Sequence, residues 1–328
     1  MQKLRYYEID VLRGLGILAI ILIHVSAYFL KDPLAKFVWD YSQFTVQTFV
    51  FVSGYLFFLK NPLENRKTFW SYLKKRARRL LIPYWSFLVF YFAIIAVFSL
   101  GTLTPEFFIR WLTLTTTGNE LNWFVVLFLQ FVILLPLLSY WAKNRKWLFY
   151  LYSLFALSSS LLLLGYNIPL NYKLTMWLPW SLILIVSWYT ARYEKRRWFY
   201  PVAIVGSFFI FFVLRYRLQI LDHSLSFYDN KYPPNLYFLS YGIWVTLLLL
   251  WLSGRGVFSA KWFQKSITFL GVHSYSIFFV HFLIIFLLAS LLNLGSYPWW
   301  QIFFLVLGLT LAVQVVLNAG RRFISSRY

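Results

Sequence analysis

Along the chain, apolar residues fall in long blocks separated by short segments that carry most of the charge. Each block extends over roughly 17 to 24 residues, the length an α-helix needs to cross a hydrocarbon layer of about 30 Å. A membrane barrel would instead show shorter segments of alternating polarity. Spans are predicted near 11–30, 42–59, 80–101, 122–142, 147–165, 175–191, 199–214, 236–252, 267–290 and 299–319. The pattern therefore predicts an all-α, polytopic transmembrane helical bundle of about ten spans, with residues 1–328 forming a single integral-membrane domain.

Composition narrows the class further. With 61% hydrophobic and only 12% charged residues, the chain cannot be an ordinary soluble protein, in which about a quarter of residues are charged. The net charge of +21 is explained by topology rather than nucleic acid, which is not expected as a partner. If the N-terminus is cytoplasmic, 23 of the 31 lysines and arginines fall in inner segments and seven in outer ones, with Arg13 inside a span. This asymmetry predicts both termini in the cytoplasm, with the basic segments facing anionic membrane lipids. Trp39, Trp111, Trp123, Trp147, Trp177, Trp198 and Trp299 stand at predicted span ends, as interfacial anchoring requires. Lys3 and Arg5 ahead of an apolar stretch also match a secretory signal, with Val25 and Ala27 as a cleavage site, but Arg13 is foreign to the core of such a signal. The absence of cysteine removes disulfides, thiolate catalysis and iron–sulfur clusters.

An ionisable side chain in the middle of a span costs at least ~2.5 kcal/mol unless it faces protein or water, which makes such residues the default functional candidates. Arg13, His24, His273 and His281 qualify. Arg13 and His24 are eleven positions apart, only about 20° from three full helical turns, so they share one face with a rise of about 16 Å. His24 is thereby expected about two-thirds of the way across the layer, with Arg13 near the inner surface, where it can snorkel or pair with Asp10. His281 lies at a depth similar to that of His24, so the two imidazoles can meet across helices. His273 is about 80° away from the His281 face and is read as structural, and His223 falls in an outer segment. No metal is expected, because the histidines lack ligand spacing. Gly14 and Gly16 follow no predicted strand and are read as close-packing positions rather than a nucleotide fingerprint.

The segment Lys74-Lys75-Arg76-Ala77-Arg78-Arg79 packs five cations into six residues just inside the third span. It is a topology signal and, in addition, a surface suited to a phosphate-rich ligand such as coenzyme A.

These residues together resemble the acyltransferase 3 family of integral-membrane acyltransferases, which includes bacterial surface-polysaccharide O-acyltransferases. Ile9-Asp10-Val11-Leu12-Arg13-Gly14 with His24 is similar to the family's arginine-ten-residues-histidine motif, and Val52-Ser53-Gly54-Tyr55 to its second-span signature. Arg76 and Arg79 followed by Leu81-Ile82-Pro83-Tyr84 resemble its cytoplasmic arginine pair and the start of the third span. Asn122-Trp123-Phe124 resembles the opening of its fourth span, and Gly271, Ser274, Tyr275 and His281 its late glycine, serine-tyrosine and histidine pattern. The motifs cover essentially the whole chain in the same order.

The resemblance implies transfer of an acyl group, commonly acetyl, from cytoplasmic acyl-CoA to a hydroxyl of a cell-surface glycan or a lipid-linked saccharide. His24 would be the principal catalytic residue, Arg13 its partner along the donor path, and Arg76 and Arg79, with Lys75 and Tyr84 beside them, part of the donor surface. His24 would act as general base, with His281, Tyr55 or Ser53 as donors to the developing oxyanion. Asp10, Trp123, Ser274 and Tyr275 complete the candidates around substrate, and a covalent acyl-histidine intermediate stays open. The family's polysaccharide-operon members suggest, as partners, a second copy of the chain or polysaccharide-synthesis machinery. The competing class is an exporter or flippase for a polysaccharide or lipid intermediate. Such a transporter more often shows paired halves with matching glycine or proline breaks, and none is visible here.

Overall fold

The computed structural model describes residues 6–60, 66–100, 103–115, 121–166 and 172–325, with side chains omitted for 66–67, 172 and 321–325. Lys3, Arg5 and Arg327, which contribute to the charge asymmetry, lie outside the described residues. The elements are α1 (Tyr7–Ser26), α2 (Pro33–Tyr41), α3 (Thr45–Lys60), α4 (Arg66–Phe98), α5 (Pro105–Leu112), α6 (Asn122–Asn144) and α7 (Lys146–Leu162). They continue with α8 (Tyr172–Thr175), α9 (Trp177–Tyr193), α10 (Phe199–Ile220), α11 (Leu236–Gly254), α12 (Lys261–Leu291) and α13 (Trp299–Ser325). No strand forms among the described residues, and the all-α polytopic class holds.

Nine helices among the described residues are long and apolar enough to cross a membrane, one fewer than the ten spans expected. The difference is the span predicted at 147–165. There α7 has only 17 residues, about 25 Å at 1.5 Å per residue, before Gly165 and Tyr166 close a turn on the Leu162 carbonyl. The multi-pass membrane character stands on the other nine, and termini on one face, as the charge asymmetry predicts, require α7 to cross as a tenth, shorter span.

Two helices begin earlier than their apolar residues suggest. The polybasic segment 74–79 is part of α4 itself, which runs without a break from Arg66 through Pro83 to Phe98. Likewise α12 starts at Lys261, ahead of the predicted 267. Lysine, arginine and glutamine are good helix formers, so the helix continues where the apolar signal stops.

Helix starts follow local chemistry. The Asp32 carboxylate caps α2, accepting from the Leu34 and Ala35 amides at 2.8 and 2.9 Å, with Pro33 in the first turn. Thr104 with Pro105 does the same for α5, and Asn235 caps α11.

The chain divides into two compact units. The first contains Met1–Gln43, Ile82–Thr113 and Ser259–Tyr328, and the second Phe44–Leu81 and Leu114–Phe258. Within the first unit, α1 packs most extensively on α12, with α13 against both. At the α1–α12 contact a Cβ added to Gly14 would stand 2.5 Å from the Ile267 carbonyl oxygen, and one added to Gly271 would overlap the Asp10 carbonyl. Cβ atoms tilt toward a helix N-terminus. Each glycine meets the partner residue one turn earlier, and the contact of His24 with His281, ten residues further along both helices, shows that the two run parallel in close backbone contact. Within the second unit, α9 is packed by α3, α6, α7 and α11. Gly54 lets α3 approach the Ser187 side chain of α9, and Gly242 lets α11 approach Gln47 of α3.

Candidate functional site

In the first unit the close α1–α12 seam sets the depth of two histidines. From Gly14 to His24 and from Gly271 to His281 the spacing is ten residues on both helices, so side chains in register at the glycines are again in register at the imidazoles. His24 Nδ1 lies 2.8 Å from His281 Nε2. The ring planes differ by 7° and the centroids are 5.1 Å apart. That separation equals the N···N distance plus a ring radius at each end, so the imidazoles lie edge to edge in a common plane, joined by an in-plane hydrogen bond.

The protons on this pair follow from one main-chain contact. His281 Nδ1 is 2.9 Å from the Ile277 carbonyl oxygen, which only accepts, so Nδ1 is the donor. A neutral His281 then offers the lone pair of Nε2, and His24 must donate from Nδ1. The remaining lone pair of a neutral His24 is on Nε2. The histidine pair is thus polarised in one direction, from the Ile277 carbonyl through His281 to His24.

The surroundings are apolar. His281 is fully buried. Phe278 packs 5.9 Å from His281, and Phe282 meets His24 edge-on at 5.7 Å. Phe87 of α4 backs Phe282 and Phe279. His24, with Ala27, Tyr28, Phe282, Ile285 and Phe286, lines a cavity of about 290 Å³. Tyr28 and Ala27 are exposed at this cavity, so it opens beside the end of α1. His24 stands in the last turn of α1, and a 3₁₀ turn at Ala27–Phe29 carries the span on beyond it.

The other sequence candidates of this unit have separate placements. Arg13 is half-buried on α1, about 16 Å along the helix from His24. Asp10 is buried where its carbonyl meets Gly271. Ser274 is buried two turns before His281 on the same helix face, and Tyr275 packs on Phe279 at 5.1 Å. The Tyr84 ring has no exposed surface and its hydroxyl donates to the Trp111 carbonyl at 2.7 Å, which braces α4 against the end of α5. His273 bonds with Asn318 of α13 at 3.1 Å.

The remaining candidates belong to the second unit. Ser53 is half-buried on α3, and the Tyr55 hydroxyl donates to the Glu194 carboxylate at 2.5 Å, just past α9. On α4, Lys75 and Arg79 are exposed and Arg76 is partly covered, its guanidinium 5.6 Å from the Tyr72 ring. Trp123 is buried against Trp180 and Tyr232.

Two features escaped the sequence reading. Lys173 and Lys231, two of the seven cations counted in the outer segments, are only 5% and 6% exposed. Lys173 donates to Asn122 at 2.9 Å, while Lys231 lies 5.3 Å from the Trp123 ring and 5.1 Å from the Tyr232 ring. Burial pushes the Lys231 ammonium down to about 7. The second feature is the Ile277 carbonyl, a main-chain acceptor that no residue type announces.

Among the described residues no group of His, Asp or Glu side chains is arranged to hold a metal ion. In comparison with known proteins, the profile of a family described as an acyltransferase domain matches residues 6–319. No curated protein and no solved structure matches.

Proposed function

The chain belongs to that acyltransferase family, and from this premise we propose that it is an O-acyltransferase of the bacterial plasma membrane, with both termini cytoplasmic. It moves an acyl group, most simply acetyl, from acyl-CoA to a hydroxyl of a cell-surface glycan or a lipid-linked saccharide. The observation that carries the reading is the histidine pair, because its polarisation prepares His24 Nε2 as a base beside a cavity.

In this mechanism His24 Nε2 removes the proton of the acceptor hydroxyl as its oxygen attacks the thioester carbonyl. The C–S bond then breaks, and the departing thiolate takes the proton back from His24. The charge that His24 carries in between is shared with His281 through the 2.8 Å hydrogen bond, much as a carboxylate supports a catalytic histidine. Apolar Phe282 and Phe286 keep water from competing as the acceptor. Arg76, Arg79 and Lys75 supply cations for the donor's phosphates, and Arg13 supports the donor path.

The test is incubation of purified protein with labelled acyl-CoA and candidate glycans, followed by mass spectrometry of glycan and protein. Label on a glycan hydroxyl, lost in His24→Ala, is the expected result. Full turnover by His24→Ala, or glycan export without label transfer, would overturn the proposal.

A further inference from the structure

In the second unit, α3, α6 and α9 each place a basic residue in the last turn: Lys60, Lys143 and Arg192. Cations there complement the partial negative charge of a helix C-terminus, which accounts for one cation per helix and for nothing more. The surface beneath two of them is hollow. A groove of about 410 Å³ runs between Phe58 on α3, Ala142 and Lys143 on α6, and Trp188, Ala191 and Arg192 on α9.

The two walls repeat one pattern. Ser139, Ala142 and Lys143 on α6, and Trp188, Ala191 and Arg192 on α9, stand at i, i+3 and i+4, so each helix turns a single face to the groove. On both faces an alanine precedes the cation, leaving space where a larger side chain would fill the gap. Lys143 and Arg192 are exposed, and among the described residues neither is paired with a carboxylate. The Arg192 guanidinium leans toward the Trp188 ring at 6.0 Å. Glu194, the nearest acid in sequence, accepts from Tyr55. A groove lined both by Phe58, Trp188 and two alanines and by two cations complements an anion carried on a hydrocarbon chain.

We propose that this groove binds one anionic phospholipid, with the headgroup phosphate held by Lys143 and Arg192 and the upper acyl chain lying along Phe58, Trp188 and the two alanines. Guanidinium and ammonium donors suit phosphate oxygens, and the volume accommodates a headgroup and the first methylenes, leaving the rest of the chain in the bilayer. The site is independent of the histidine pair and of the acyl-transfer reading.

The experiment is native mass spectrometry of the full chain, released from micelles containing equimolar phosphatidylglycerol and phosphatidylcholine. Wild type should retain one phosphatidylglycerol in about thirtyfold preference, since each of the two cations contributes on the order of 1 kcal/mol toward an anionic lipid. Lys143→Gln with Arg192→Gln should bring the preference near parity. Ala191→Leu, which fills the groove and keeps both charges, should also abolish retention, while Arg196→Gln, an exposed cation outside the groove, should change nothing. Thermal unfolding of each variant confirms that it is folded. Equal retention of the two lipids by wild type, or undiminished retention in Ala191→Leu, would overturn the site. One-for-one displacement of the lipid by acyl-CoA, but not by inorganic phosphate, would reassign the groove to the donor and likewise overturn it.

Discussion

Gly14 and Gly271 face each other's helix across a close backbone contact of the first unit, and each is followed ten residues later by a histidine. A hydrogen bond of 2.8 Å at the far end is therefore set by sterics at the near end. Gly271→Ala should separate α1 from α12, lower the thermal midpoint and reduce acyl transfer at least tenfold. Gly206→Ala, where a Cβ meets nothing within 4 Å, should be neutral or stabilising by up to about 1 kcal/mol. Equal behaviour of the two variants would show that the glycine seam does not control the pair.

The two histidines have unequal roles. His281 needs only to accept from His24, so His281→Gln, which keeps an acceptor, should preserve more turnover than His281→Leu. The leucine variant should lose roughly 10²- to 10⁴-fold, the range of a misdirected general base. Turnover numbers under saturating donor distinguish the cases, and identical values for glutamine and leucine would remove the acceptor role.

Tyr84 separates structure from donor binding. Tyr84→Phe deletes the bond to the Trp111 carbonyl and should cost about 1 kcal/mol of stability, seen as a lower denaturation midpoint. The affinity for acyl-CoA should stay within twofold. A large loss of affinity with unchanged stability would return the tyrosine to the donor site.

The arginines of α4 are expected to act through charge. Arg76→Ala with Arg79→Ala should weaken acyl-CoA binding at low salt, with the difference from wild type shrinking toward 1 M salt, where the screening length is only about 3 Å. Titration calorimetry at two salt concentrations makes the comparison, and unchanged affinity in both would leave these residues to topology alone.

Lys231 should impose a pH dependence on stability. The unfolded lysine holds its proton to about 10.4, whereas the folded one releases it near 7. Between those values the unfolded chain binds more protons, so stability rises with pH through that window. The Trp123 and Tyr232 faces offset part of the cost of the charged form. Lys231→Met should therefore exceed wild type in thermal midpoint most clearly below pH 7, with the gap closing toward pH 10. A constant gap across that range would contradict the buried-ammonium account.

Much of this was legible before any coordinates. Apolar blocks locate most spans because a bilayer demands length and hydrophobicity from each helix separately. The His24–His281 meeting follows from counting residues on two helices that start at the same side. What escaped depends on partners distant in sequence or on atoms shared by all residues. The bond from Tyr55 to Glu194 joins positions 139 apart, and the burial of Lys231 is created by Trp123 and Tyr232 rather than by its own neighbours' hydropathy. The run through Arg66 to Phe98 was divided because hydropathy reads the solvent and helix propensity reads the backbone, and the two part company at Lys74–Arg79.

The group that orients His281 is a peptide oxygen, so no substitution at position 277 can delete it while the helix stays intact. Another side chain there would repack a buried position, yet the direction of the hydrogen bonds through the pair would stay fixed. To reverse that direction the protein would have to unwind a turn of α12, a far larger change than any exchange of one residue for another.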